Sequence, residues 1–541
     1  MNKIVACLAL TFFSFQLIGQ ENPIIPGDWS DPAVIRVNDN FYCLRSTFGW
    51  QPGLQILKSK DLVNWKYIAY AFTSNDFSLT SGDTKFGIWG SEFVYNPNTG
   101  QYLVYAPIHD GSVFNIYVFY ANKAEGPYKT GPKISGSIDP GVFVDLDGTL
   151  YFTNQTGVIF QLSDDGMRIE KEVGQRPKIN DHASGEGPEI IKNNGYYYYL
   201  CSAGGTCPYQ QHKILSFRAK SLTGPWEADP ANPLKYAPHT TQAELQGPGH
   251  GELFQTQNGD WYMTYHIYDL QHATLGRQTC LEPLKWNKNG WWRPVYGKIP
   301  QVNIEKTNLP KVNYELQASD EFNNPDLGLQ WFFHTKPDYS GDSWSLTERS
   351  GFLRLKSDPG SSELPEKLQR FILQRITRKS FTITTKIDFQ PKYEDARAGL
   401  ILYSNPKNYI MFGPTLKNNE VVIEIKTSFG LFDYSRRWSD KSRRSPKEKT
   451  IGSTRIGEPD VLFLKIMVVD PETAYFYYSF DEENWYEIKG KMPLYFGNGG
   501  SPDLGWECAS WTGSTMGIFL LDESNTTHQA DFDFFRVTQN H

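Results

Sequence analysis

The chain has 541 residues, too many for one compact core, so at least two domains are expected. Its formal net charge is −7, acidic and basic residues are interspersed and there is no long basic run, which argues against a nucleic-acid partner and suits a neutral substrate. Aromatic residues make up 15% of the chain; most belong in sheet cores, and flat rings also pack against the apolar faces of sugars.

Met-Asn-Lys, an apolar run from Ile4 to Leu17 and then Ile18-Gly19-Gln20 read as a signal peptide over residues 1–19, because the apolar stretch is too short to span a bilayer. Cys7 stands too early in that run to serve as a lipid anchor, and no later segment is apolar for long enough to cross a membrane. A secreted or periplasmic location follows. The remaining cysteines, Cys43, Cys201, Cys207, Cys280 and Cys508, are too few and too uneven for a disulfide framework. Cys201 and Cys207 are close enough to pair in an oxidising compartment, and the spacing leaves that open.

From there an internal repeat organises the chain. DPAVIRVNDNFYCL from Asp31, SEFVYNPNTGQYLV from Ser91, DPGVFVDLDGTLYF from Asp139, EGPEIIKNNGYYYYL from Glu186 and HGELFQTQNGDWYMTY from His250 share one pattern. A polar residue is followed by a β-type run, a turn and an aromatic-rich run. The turn residue, Asn40, Gly100, Gly148, Gly195 or Gly259, falls nine positions after the first in each. Each unit predicts a β-hairpin, and the spacing leaves room for four strands per unit. Five such units close into a β-propeller.

Inner strands of a propeller converge on its axis, so the shared register brings Asp31, Ser91, Asp139, Glu186 and His250 together. Like charges held in a recess repel and raise one another's pKa, which makes a carboxylate cluster costly to keep for folding alone and points to a site. The competing reading is that Asp31 and Asp139 merely cap turns set by Pro32 and Pro140. Glycoside hydrolysis needs such a set: a protonated acid for the leaving oxygen, an ionised carboxylate across the sugar and, in the inverting version, about 6.5–9.5 Å between them for water.

These motifs resemble glycoside hydrolase family 43, in particular its two-domain β-xylosidase and α-L-arabinofuranosidase branch, over essentially the whole mature chain. Ser30-Asp31-Pro32, Ile138-Asp139-Pro140 and Glu186-Gly187-Pro188 match the family's three carboxylate motifs, Ser59 to Trp65 its blade-one hairpin and Leu275-Gly276-Arg277-Gln278-Thr279 its Gly-Arg-Glu-Thr segment. The resemblance implies Asp31 as general base, Glu186 as general acid and Asp139 as modulator of the acid's pKa. It implies Arg277 as a donor to sugar hydroxyls, with a surface arginine on an outer strand as the alternative. Phe48, Trp50 and Trp89 resemble pocket-wall aromatics, for which core packing is the alternative.

His250 matches an axial histidine that contacts the substrate's surroundings or a calcium ion in some members; a hydrogen-bonded structural role is the alternative. No cofactor is required on this reading, and a structural calcium remains open. Two departures stand out. Glu189 replaces the family's usual His, and strand alternation predicts that it points away from the slot of Glu186. Gly90-Ser91-Glu92 replaces Ala-Pro-Asp in blade two.

The Lys-, Asn- and Pro-rich stretch 304–317 predicts a linker after a propeller over residues 20–303. Alternating runs over residues 318–541, such as Phe381 to Ile387, predict a β-sandwich of the jelly-roll or concanavalin type. In the family branch this domain lends an aromatic to the pocket. Trp511 fits that place, Trp506 is the second candidate, and core packing competes for both. A pocket closed on one side admits chain ends, so the resemblance implies exo action on xylose- or arabinose-terminated oligosaccharides or polysaccharides, as in xylan degradation. The rival is a sugar-binding propeller that cleaves nothing; a sialidase-like propeller lacks its Asp-box repeats here.

Overall fold

The computed structural model describes residues 19–540 except 74–86, 110–112, 182–184, 207–210, 239–242, 334–341, 358–370, 395, 406–407, 429–447, 471, 495–511 and 523–526. It is all-β: five antiparallel sheets form a propeller and two seven-stranded sheets form a sandwich. Among the described residues the only helix is one 3-10 turn at Ala273–Leu275, and none is long and apolar enough to cross a membrane.

The innermost strands of the five blades are Ala33–Val37, Glu92–Asn96, Gly141–Val144, Glu186–Asn193 and Leu245–Gln255. Each pairs with the next strand of its own blade as the hairpin its sequence predicts. The turns carry positive φ at Gly100, Gly148, Gly195 and Gly259; in blade one Asn38 takes that role, and Asn40 already belongs to the returning strand.

Blades are glued face to face by apolar clusters, because each sheet buries both faces against its neighbours. Leu44, Ile56, Phe93 and Val104 join blades one and two; Tyr198, Leu200, Met263 and Tyr265 join four and five. Closure comes where Val34 and Phe41 of the first blade meet Phe254 and Leu281 of the last. Gln20–Glu21 also pairs with Asn303–Ile304, tying the two ends of the propeller together.

The sandwich packs its two sheets around Leu400, Phe412, Ile466, Phe476, Ile518 and Phe535. It is joined to the propeller by a shared apolar seam in which Trp50, 1% exposed, packs on Phe332 at 5.1 Å and Tyr403 at 6.1 Å between ring centroids. Polar ties reinforce the seam. Gln51 and Phe333 form a β-bridge, and Arg375 donates to Pro26 O at 3.2 Å and to the Tyr67 hydroxyl at 3.0 Å.

The seam makes the two domains one mechanical body. Trp50→Ala is expected to remove about 3–5 kcal/mol of stability, read as a lower urea midpoint. A change below about 1 kcal/mol would show that the indole is not packed between the domains.

Candidate active site

The axial mouth is built on strained backbone. Asp31, Asp139 and His250 hold φ of 53°, 51° and 50°, a conformation that L-residues adopt at a cost and that clusters at working sites. Gly187, φ 54°, shares it. Glu92, Glu189 and Glu252 bring carboxyl oxygens within 4.8 Å of one another, so those positions are level on the axis. Two residues upstream of each stand Gly90, Gly187 and His250, level with Asp31 and Asp139. The nine-residue register therefore slips by one in two blades: Gly90 takes the place expected for Ser91, and Glu186 stands one residue before Gly187. Ser91 instead turns back to donate to Trp89 O at 2.9 Å.

A bulge corrects for Glu186. Glu186 pairs with Ser202 and Glu189 with Leu200, three residues against two. The extra residue restores the inward direction, so both glutamates face the axis. Glu189 does stand away from the slot of Glu186, as alternation predicts, but along the axis and not off it: it lies deeper, with Glu92 and Glu252, and not in the mouth. Burial and the neighbouring carboxyls push Glu189 and Glu252 well up, and burial pushes Glu92 up to about 8, so this lower trio is protonated near neutral pH.

In the mouth the charges differ. Asp31, 5% exposed, accepts from Arg277 Nη1 at 2.7 Å and from Ser46 Oγ at 2.5 Å, and His266 Nδ1 stands 3.0 Å from its Oδ1. Burial alone would raise its pKa; the Arg277 guanidinium, the His266 hydrogen bond and His250 outweigh this and hold it well below the usual carboxylate range. Asp139 runs the other way. Burial, then the charge of Glu186, then that of Asp31 push it well above its ordinary value, although Gly187 N donates to it at 3.2 Å.

Burial also pushes Glu186 up, but the His212 imidazole, 3.5 Å from its Oε2, more than offsets this. Asp139 and Glu186 titrate together, and the pair keeps one proton between them while Asp31 is ionised. The arrangement can supply a base and an acid at once.

The nearest oxygens of Asp31 and Glu186 fall within 4.8 Å. That is closer than the about 6.5–9.5 Å of an inverting pair, but the rule is set between whole carboxyl groups, whose separation exceeds that of their nearest atoms. Asp31, Glu186 and His250 also meet the spacing of a cation site. Calcium takes six to eight oxygens, whereas here the Arg277 guanidinium occupies Asp31 Oδ1 and the third donor is a nitrogen, so the donor set does not fit that ion.

Arg277 is no surface arginine: it opens the third strand of blade five, 3% exposed, with its guanidinium on Asp31 and 5.8 Å from the Phe48 ring. Phe48 meets Trp89 edge-on at 6.5 Å, and Trp89, half-buried, leans on Phe114. Trp50 is the exception among the proposed wall aromatics, since its place in the seam leaves no open face for a sugar. Trp506 and Trp511 lie outside the described residues. Cys201 is a free, buried thiol, and Cys207 lies outside the described residues.

The repeat did not reveal His212, His266 or Asp28. His266 sits in the second strand of blade five and His212 just before the third strand of blade four, whereas the pattern singled out only the starts of first strands. A histidine within Trp261–Asp269, a strand otherwise of Trp, Tyr, Met, Thr and Ile before its final Asp, is the signal that was there to use. Asp28, buried, is paired with Arg45 and lies beside Gly276.

The sandwich reaches this site through the turn before Arg277. Glu472 accepts from Thr274 N at 2.8 Å and from the Thr274 hydroxyl, and Ser514 N donates to Thr274 O at 2.7 Å. Gly276, φ 62°, passes so close that a Cβ there would lie 2.4 Å from Gly513 N. The second domain thus buttresses one side of the mouth.

Comparison with known proteins agrees with this geometry. The family model for glycosyl hydrolases family 43 matches residues 20–292, and that for the beta xylosidase C-terminal concanavalin A-like domain matches residues 319–538. A xylan 1,3-beta-xylosidase of a Vibrio species is 29% identical, covering 96% of this chain and 99% of its own. The non-reducing end alpha-L-arabinofuranosidase BoGH43B of Bacteroides ovatus is also 29% identical, over 95% of this chain and 94% of its own. The crystal structure of the family protein BlXynB from Bacillus licheniformis superposes with a TM-score of 0.86 at 30% identity, over 96% of this chain and 100% of that one. The likeness thus runs along nearly the full length of these relatives and takes in both domains, and the chain belongs to glycoside hydrolase family 43.

Proposed function

We propose that the protein is an exo-acting, inverting glycoside hydrolase that releases terminal xylose or arabinose from hemicellulose-derived oligosaccharides. The observation that carries this reading is the split of charge in one buried mouth: Arg277 keeps Asp31 ionised while Asp139 and Glu186 share a proton. Family membership and relatives named for both activities support the sugar class.

Asp31 takes a proton from the attacking water, and Glu186 gives one to the departing glycosidic oxygen. Asp139, raised by burial and by the charge of Glu186, keeps that proton in the pair until the sugar arrives. Arg277 has a second task besides orienting sugar hydroxyls, which is to hold the base ready. Phe48 and Trp89 offer ring surface for the terminal sugar, and His250, 3.5 Å from Asp31 Oδ1 through Nδ1, closes the floor. The buttress of Thr274 to Gly276 against the sandwich narrows one side, which favours chain ends over mid-chain positions. The carboxylates complete this chemistry without a cofactor.

Export is part of the same proposal: residues 1–19 are read as a cleaved signal, supported by the charged start and the apolar run. The first residue of the protein recovered outside the cytoplasm is then Gln20, which N-terminal sequencing checks.

Asp31→Ala and Glu186→Ala are each expected to cut kcat by at least about a thousandfold on an unactivated pentoside, from the usual weight of general acid and base catalysis. NMR of the first product should show the anomeric configuration inverted; retention would refute the assignment of Asp31 as base.

The pH profile adds a signed check. Removing a like charge lowers the pKa of the remaining acid, so Asp139→Asn is expected to move the alkaline limb of kcat/KM to lower pH by about one unit or more. The acid limb, set by Asp31, stays below the ordinary carboxylate range in both proteins. An alkaline limb that stays in place or moves up would remove Asp139 from its role.

A further inference from the structure

A cation without a counter-ion stands on the rim of the mouth. Gly141–Val144 runs away from Asp139, and the strands of blade three alternate in direction, so the fourth, Ile169–Gln175, returns to the mouth side and delivers Arg176 there. Arg176 N donates to Gly157 O at 2.7 Å, which ties it to the loop between the second and third strands. Its side chain then turns inward. A Cβ on Gly157 would lie 2.0 Å from Arg176 Cδ, and one on Gly185 would lie 3.2 Å from Arg176 Cζ, so the stem crosses one glycine and the guanidinium rests against the other.

Those contacts place the charge beside the reacting groups. Gly185 immediately precedes Glu186. The carbonyl oxygen of Gln155 also lies against Gly185, and Gln155 N donates at 3.1 Å to the oxygen of Ile138, the residue before Asp139. Arg176 is therefore packed on the loops that carry the acid and its modulator.

Its electrostatic situation sets it apart. Arg36, Arg45, Arg168, Arg218, Arg277 and Arg293, the other arginines of the propeller, each donate to a carboxylate or a backbone carbonyl. Arg176, half-buried, has no such acceptor among the described residues. Asp181, the acidic residue between Arg176 and Glu186, is held by Lys213 at 2.8 Å. A guanidinium cannot shed its proton, and keeping its charge partly out of water without a counter-ion costs free energy. A carboxylate brought by the substrate would offset that cost through two parallel N–H bonds, a geometry that the planar fork matches.

The position also selects which sugar is met. Phe48, Trp89 and Arg277, the walls for the terminal sugar, come from blades one, two and five, whereas Glu186 gives its proton to the departing oxygen from blade four. The departing unit thus extends over blades three and four, towards Arg176.

Resting on the hydrolytic reading above, we propose that Arg176 forms a leaving-side subsite for an acidic sugar, so that the enzyme prefers a terminal pentose attached to a hexuronic acid unit. The pentose released is neutral; the charge belongs to the unit it leaves. Without the guanidinium, an anion at that place would be repelled by ionised Asp31 and by the Asp139–Glu186 pair, which holds a single proton.

Two disaccharides that differ only in charge test this: a pentose linked to a hexuronic acid, and the same compound with its carboxyl reduced to a primary alcohol. For the native enzyme, kcat/KM on the acidic disaccharide is expected to exceed that on the reduced one by about tenfold or more, the weight of a charge-assisted pair. Added salt should shrink that ratio. Arg176→Met, which keeps the length of the stem, is expected to bring the ratio to about one or below, and Arg176→Lys, a charge without the fork, to leave it in between.

Because the ratio is taken within each protein, a general loss of activity or of folded enzyme does not imitate the result. A ratio that stays high in Arg176→Met would place the carboxylate elsewhere and overturn the subsite. The native enzyme alone decides too: if it cleaves aryl pentosides but shows a ratio near one, or leaves the acidic disaccharide intact, the subsite falls and the hydrolytic reading stands. Native enzyme that releases pentose from none of these compounds sinks both.

Discussion

The ion pair between Arg277 and Asp31 is the contact on which the site turns. A carboxylate with so little exposure would ordinarily take up a proton, since burial disfavours its charge by several kcal/mol. The guanidinium at 2.7 Å, with Ser46 and His266 on the remaining lone pairs, reverses that balance. Everything else in the mouth follows from the charge this leaves behind. Burial, then the charge of Glu186, then that of Asp31 keep Asp139 from ionising, so a proton is held in the mouth beside the ionised base.

Arg277 must itself be held still, and that is where the second domain enters. The residue follows a tight turn, Ala273–Leu275 and Gly276, whose backbone is bonded on its outer side by Glu472 and Ser514 of the sandwich. Burial pushes Glu472 up to about 7, with Thr274 pulling against it, so its grip on that turn changes over the neutral range. Nearby, His272 bridges Asp269 and Asp470, one from each domain, and Lys379 of the sandwich reaches Asp269 and Glu244. Substrate geometry is therefore linked to the packing between domains, which the Trp50 seam secures from the other side.

Much of this was legible in the sequence. Five copies of a polar residue, a strand and a turn specify blades, and blades specify an axis, so Asp31, Asp139, Glu186 and His250 could be brought together from the repeat alone. What periodicity could not convey is where a strand breaks its own rule. The bulge between Glu186 and Glu189 shifts one residue and reverses the facing of everything before it, and a slip of one at Gly90 displaces Ser91. Trp50 was misplaced for a different reason: an aromatic near a pocket and an aromatic in a seam look alike until the second domain is docked. His212 and His266 escaped because they come from outer strands, and only the stacking of blades carries them inward.

The two tiers of carboxyl groups along the axis show how much environment decides. Glu92, Glu189 and Glu252 are as close to one another as Asp31 is to Glu186, yet burial and mutual repulsion govern that trio. Neutral acids are what results, and neutral acids can hydrogen-bond one another and fill a channel as ordinary polar core. One tier above, a single arginine converts the same chemistry into a charged site. Had the lower trio been ionised, its field would have raised the pKa of Asp31 along the axis and weakened the base. Protonation of the lower tier thus favours ionisation of the upper one, and the depth of the channel, by burying Glu92 and Glu189 and part of Glu252, works in favour of the reaction at its mouth.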